Sequence, residues 1–168
     1  MKKFTFLLEL ASLVCPDDAL RSEVQLAENQ PLNYLSQFQD EMLKRGIERA
    51  MPELPWLALV DGLAKRGLLV ELDWKDDPSE LIETAIGLTK DHPDSETIAK
   101  TILKVEPFID EDIEEFLPQL NSKLKKFDVQ LGWYDIDSDS YPLSLIPFEH
   151  LTRVKELALE SGYGIIKT

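Results

Sequence analysis

Two apolar runs of alternating pattern, joined by a short acidic segment near the C-terminus, constrain this fold more than any other part of the chain. Apolar side chains occupy every second position of each run: Val129, Leu131 and Trp133 in the first, Tyr141, Leu143 and Leu145 in the second. Such alternation is typical of strands with one buried face, and the short separation predicts an antiparallel hairpin. Pro142 cannot donate a ladder hydrogen bond, so it predicts an edge strand or a bulge.

The segment between the two runs carries an aspartate at every second position, namely Asp135, Asp137 and Asp139. This spacing resembles the first liganding positions of a calcium loop, but Ser140 replaces the required glycine and Ile146 replaces the closing glutamate. In a turn, the same aspartates can instead hydrogen-bond their own backbone. We favour a structural turn, and the sequence leaves a recognition loop and a metal site open as alternatives.

A predicted strand over residues 68–74 has a second acidic and aromatic group, residues 71–77, at its C-terminal end. If this strand neighbours the hairpin, Asp73 or Asp76 joins the three hairpin aspartates around one pocket rimmed by Trp74, Trp133 and Tyr141. The competing interpretation assigns the tryptophans to the core and the aspartates to a helix cap. Placement of Asp73 and Asp135 on opposite faces of the sheet would exclude the shared pocket. The candidate binding residues are Asp73, Trp74, Trp133, Asp135, Asp137, Asp139 and Tyr141, of which Asp135, Asp137 and Asp139 are the candidate metal ligands.

The remaining patterns indicate an α+β protein. Apolar residues recur at helical spacing through much of residues 1–66, whereas residues 67–168 add the strand signals, including a final strand over 163–167. We therefore expect a single domain over 1–168, with a mainly helical region followed by a sheet-containing region. The expected sheet is small, mostly antiparallel, built from about four strands and covered by helices.

The charge of the chain restricts its partners. There are 18 Lys and Arg against 32 Asp and Glu, which gives a formal net charge of −14. This surface repels phosphate backbones and anionic lipid, and the longest basic group is only Lys123, Lys125 and Lys126. We expect no nucleic-acid or membrane partner, and a basic protein is the partner that the charge favours.

Signatures of catalysis and export are weak. The chain lacks a glycine-rich nucleotide loop, and neither His92 nor His150 comes with a recognisable partner motif. The only cysteine, Cys15, cannot form an internal disulfide. The first residues mimic a signal peptide, but Glu9 interrupts the apolar run. We expect a cytoplasmic monomer or homodimer without a cofactor.

Two motifs carry a family resemblance: E-L-D-W-K at residues 71–75 and S-D-S-Y-P at residues 138–142. Together with the run from Pro55 to Leu63, they resemble an uncharacterised bacterial domain family with no assigned activity, over about residues 55–164. The resemblance implies a small cytoplasmic bacterial protein and supplies no catalytic residues.

Taken together, these patterns favour a non-catalytic protein-interaction or regulatory module, similar in kind to an immunity protein, that binds a basic partner. The alternative is a metal-dependent hydrolase. In that alternative Asp73 and the three hairpin aspartates ligate the metal, and His150 is a possible base.

Overall fold

The computed structural model describes residues 3–107 and 111–168. Helices come first along the chain: α1 (Phe4–Val14), α2 (Asp18–Asn29), α3 (Pro31–Gln37), α4 (Gln39–Lys44) and α5 (Leu54–Lys65). The rest of the chain contains both strands and helices: β1 (Leu69–Asp73), α6 (Pro78–Leu88), α7 (Ser95–Ile102), α8 (Ile113–Leu124), a short 3-10 helix (Lys125–Phe127), β2 (Val129–Asp135), β3 (Ser140–Pro147), α9 (Phe148–Ser161) and β4 (Ile165–Lys167).

The four strands form one sheet in the order β1-β3-β2-β4, and every neighbouring pair is antiparallel. This confirms the predicted α+β class, the predicted hairpin and the small sheet. The edge position predicted for Pro142 is wrong, because β3 is an inner strand. Pro142 is tolerated there because the ladder between β2 and β3 ends at the pair Trp133 and Leu143. Pro142 therefore lies just beyond that ladder, opposite Glu71 of β1.

Strand alternation divides the core into two clusters, one on each face of the sheet. On the first face, residues such as Leu69, Tyr134 and Ile166 pack with α1, α2, α5 and α9. On the second face, Leu72 and Leu131 pack with α6, α7 and α8. Helices thus cover both faces, as the apolar character of both faces of the inner strands requires.

The polar residues before three helices act as N-caps. The side chains of Asp17, Asp77 and Asp112 each accept a hydrogen bond from a backbone N–H in the first turn of α2, α6 and α8. Such caps satisfy donors that have no partner within the helix. At the other end of α9, Gly162 has φ of 72° and closes the helix in the left-handed conformation.

An asparagine takes the place of a neighbouring strand at the outer edge of β2. The short β4 pairs only with residues Trp133 to Asp135 of that strand. Further along, the backbone N–H of Leu131 donates to Oδ1 of Asn121 at 2.8 Å, and Nδ2 of Asn121 donates to the Leu131 carbonyl at 3.0 Å. Both residues are buried. One side-chain amide on α8 therefore completes the sheet where β4 ends.

Within residues 3–107 and 111–168, no helix has the length and apolar composition needed to cross a membrane.

Candidate functional site

The acidic hairpin turn is stabilised by its own polar atoms. Oδ1 of Asp135 accepts a hydrogen bond from the backbone N–H of Asp137 at 3.0 Å, and the Ser138 and Ser140 hydroxyls lie 2.9 Å apart. Asp137 has φ of 55°, a left-handed conformation that aspartate adopts more readily than most residues. The Asp135 bond confirms the predicted turn in which an aspartate hydrogen-bonds its own backbone, whereas the two serines bond to each other.

Asp135 also forms an ion pair across the sheet edge. Its Oδ2 lies 2.8 Å from Nζ of Lys167, and the same ammonium group lies 4.3 Å from the centroid of the Trp133 ring. Burial opposes ionisation of Asp135, but the hydrogen bonds from Lys167 and from the Asp137 N–H outweigh it, and its pKa is lowered. This carboxylate is therefore already neutralised by the chain itself.

The hairpin aspartates do not assemble a metal site in the structure. Among the residues that the structure describes, no three His, Cys, Asp or Glu side chains converge on one point. Asp137 and Asp139 are exposed, and Asp135 is engaged by Lys167. The arrangement proposed for a metal-dependent hydrolase is thus not present in the described part of the chain.

The two acidic groups are adjacent but face opposite ways. The backbone N–H of Trp74 donates to the Asp139 carbonyl at 2.9 Å, so the end of β1 does touch the hairpin. In the register, however, Asp73 pairs with Ser140, while Asp135 lies on the other face with Trp133. The seven candidate residues therefore do not line one shared pocket.

The second face of the sheet gathers an aromatic and acidic surface near the turn. Tyr141 packs edge-on against Trp133 with ring centroids 4.7 Å apart, and Trp74, the residue after β1, is 55% exposed. Burial raises the pKa of Tyr141, and the nearby carboxylates of Asp112, Glu114 and Asp139 raise it further. We call Trp74, Asp112, Glu114, Asp139 and Tyr141 the acidic hairpin face.

On the first face of the sheet, a charged network ties the turn to the helices. The Arg45 guanidinium donates from Nε to Oδ1 of Asp61 at 2.9 Å and from a terminal nitrogen to Oε2 of Glu71 at 2.7 Å. The Ser140 hydroxyl donates to Oε1 of Glu71 at 2.6 Å. Burial opposes ionisation of Glu71, but its bonds to Arg45 and Ser140 outweigh this and lower its pKa. Sequence patterns gave no sign of this network, because its members lie far apart in the chain.

A second candidate site lies at the other end of the hairpin, where β2 begins and β3 ends. It is a cleft of about 490 Å³ that contains both histidines of the chain, His92 and His150, together with Lys90. We call it the histidine cleft. Its walls are mainly aliphatic and include Leu13, Val14, Leu63, Leu68, Leu88 and Val154.

The polar groups at this cleft are chiefly hydrogen-bond donors. Nδ1 of His92 accepts the backbone N–H of Asp94 at 3.0 Å, so the neutral ring carries its proton on Nε2. Nε2 of His150 lies 3.6 Å from Oε1 of Glu149. At the back wall, the Ser144 hydroxyl donates to the Tyr134 hydroxyl oxygen at 3.3 Å, and burial raises the pKa of Tyr134 to about 12. Tyr134 is therefore a protonated donor at neutral pH.

No sequence signal could have predicted the histidine cleft. His92 follows α6 and His150 lies in the first turn of α9, and no motif links the two positions. They meet because the end of α6 and the start of α9 both flank the last residues of β3.

Comparison with known proteins gives a family without an assigned function. The family model described as Domain of unknown function (DUF6630) matches residues 6–168, which is nearly the whole chain. The chain belongs to this family, as the resemblance of its central and C-terminal motifs indicated. Neither a curated protein nor a solved structure matches it.

Proposed function

We propose that this member of the family is a non-catalytic, cytoplasmic interaction or regulatory module, similar in kind to an immunity protein, that binds a basic protein partner. The observation that carries the proposal is the acidic hairpin face, where Trp74 is exposed just after β1 and the carboxylates of Asp112, Glu114 and Asp139 help to raise the pKa of Tyr141. Exposed aromatic side chains are frequent anchors of protein interfaces.

The chemistry of this face suits lysine and arginine side chains. Their aliphatic stems pack against aromatic rings, while their charged ends reach carboxylates such as Glu114 and Asp139. The net charge of −14 adds long-range attraction for a basic partner and accelerates its association. Salt screens both the contacts with these carboxylates and the long-range attraction, so the proposal predicts binding that weakens as ionic strength rises.

Two further observations support this assignment. Asp112 is used as the N-cap of α8, where it accepts the backbone N–H of Glu115 at 2.8 Å, so part of the acidic group is held in place by the fold. Cys15 is buried and, as the single cysteine of the sequence, cannot form an internal disulfide, so it gives no indication of an oxidising compartment.

The test uses a fluorescent decalysine peptide as the probe and charge-matched variants. Glu114→Gln with Asp139→Asn neutralises two acids of the face and leaves the Asp112 cap intact. Asp40→Asn with Glu48→Gln removes the same charge at exposed positions in and after α4. Fluorescence anisotropy at low salt should show at least about tenfold weaker binding for the first variant only, because each lost charged contact is worth on the order of 1 kcal/mol.

Equal weakening by both variants would contradict the proposal, because it would mean that the peptide responds to net charge alone. Trp74→Ala adds an independent check, since it leaves the charge unchanged and is expected to weaken binding if the exposed ring is an anchor. Circular dichroism of each variant controls for folding.

A further inference from the structure

The histidine cleft has the size and lining of a small-molecule site. Its volume of about 490 Å³ lies within the range of roughly 300 to 1,000 Å³ that is usual for ligand pockets. Four helices contribute aliphatic side chains to it, including Leu13 of α1, Leu63 of α5, Leu88 of α6 and Val154 of α9. Such walls favour an apolar ligand body.

The polar groups at the mouth of the cleft favour a ligand that carries a hydrogen-bond acceptor. The Lys90 ammonium forms no ion pair within the described residues, and the N–H at Nε2 of His92 likewise has no acceptor there. Both groups donate, and no described residue supplies an acceptor for either. A carboxylate supplies two acceptor oxygens and a negative charge to such a pair.

The neighbouring acid limits how much negative charge the ligand carries. Asp91 also lines the cleft and is exposed beside Lys90. It would repel a second anionic group, so a single carboxylate fits the mouth better than a polyanion such as a nucleotide. The surplus of negative charge on the whole protein acts in the same direction.

We propose that the histidine cleft binds a small monocarboxylate with an aliphatic body. The carboxylate lies at the mouth between Lys90 and His92, and the aliphatic body lies against the leucine and valine walls. This site is separate from the acidic hairpin face, so the proposal of a ligand here does not depend on the function proposed above.

Gly87 offers a way to block the cleft without disturbing the fold. It lines the cleft in the last turn of α6, and a Cβ atom added there meets no other atom within 4 Å. Gly87→Phe should therefore fold normally and add a bulky ring at the lining of the cleft. Replacement of a helical glycine also raises helix propensity.

The experiment titrates octanoate into the full chain by isothermal calorimetry. Native protein should bind about one equivalent, and Gly87→Phe should show no measurable binding. Lys90→Met should weaken binding at least about tenfold through loss of a charge-assisted hydrogen bond, while Lys104→Met, at an exposed lysine outside the cleft, should leave it unchanged. In a parallel titration, 1-octanol should bind more weakly than octanoate.

Three results would overturn the proposal. Absence of octanoate binding to native protein would refute it directly, and binding that survives Gly87→Phe would place the ligand elsewhere. Equal affinities for octanoate and 1-octanol, with no effect of Lys90→Met, would show that the cleft is an apolar surface without specificity for a carboxylate. Thermal melting of the variants without ligand separates loss of binding from loss of folding.

Discussion

The two ends of the hairpin formed by β2 and β3 differ in whether their polar groups are satisfied by other groups of the described chain. At the turn, Asp135 and its neighbours bond to their own backbone and to Lys167, on a surface without a concave pocket for all seven candidate residues. At the other end, Lys90 and His92 offer donors that the described residues leave without an acceptor, around an apolar cleft. A dense run of polar residues in a sequence is therefore a poor guide to where unsatisfied chemistry lies in the fold.

The two ends are also stabilised differently. Near the open end, a neutral and fully buried amide, that of Asn121, satisfies the edge of β2. Near the turn, the charged network of Arg45, Asp61 and Glu71 connects the helices to the sheet; Asp61 is buried, whereas Arg45 and Glu71 are partly exposed. A neutral buried contact should contribute more to stability and respond less to pH than a charged contact that water partly screens.

The largest effect is expected from Asn121→Ala. This change leaves the buried N–H and carbonyl of Leu131 without partners, and each unsatisfied group costs about 1 to 3 kcal/mol. The free energy of unfolding, measured with urea at neutral pH, should fall by about 3 kcal/mol. Ser122→Ala, at the adjacent exposed position, should change it by less than about 0.5 kcal/mol. Similar losses for both variants would show that the amide has no special role at the β2 edge.

A smaller loss, about 2 kcal/mol, is expected from Arg45→Met, because buried Asp61 loses its cation while Glu71 remains partly exposed to water and keeps its hydrogen bond from Ser140. The pKa of Glu71 is lowered in the folded protein, so its stabilisation is present above its usual value of 4.5 and is lost as the pH falls through the folded pKa. Native protein should therefore lose stability between about pH 5 and pH 3 more steeply than Arg45→Met. Parallel pH profiles for the two proteins would show that Arg45 does not set the Glu71 pKa.

Local patterns predicted most of this architecture. The alternation over 129–134 and 141–146 predicted the hairpin, and the run over 68–74 predicted β1. The place of β3 inside the sheet was not predictable in this way. Pro142 is compatible with an inner strand only because pairing with β2 has already ended, and that depends on the register between β2 and β3.

The candidate sites were harder to predict from the sequence than the fold. The hairpin turn was predicted because aspartate and serine bond within a few residues, and such local bonds leave a sequence signature. The facing directions of Asp73 and Asp135 depend on the register between β1 and β3, which no local pattern specifies. The histidine cleft depends on the packing of α6 and α9 against β3, so His92 and His150 looked isolated.

The smallest effect is expected at the turn itself, from Asp137→Asn with Asp139→Asn. Asparagine adopts the left-handed conformation of residue 137 as readily as aspartate, and the bond between Asp135 and the residue 137 N–H is retained. The free energy of unfolding should change by less than about 0.5 kcal/mol, and millimolar calcium should not raise the melting temperature of either protein. A calcium-dependent rise in native protein that the variant lacks would restore the metal interpretation of the hairpin. Equal behaviour would leave its exposed acids available for a partner, in contrast to Asp135, which Lys167 already neutralises.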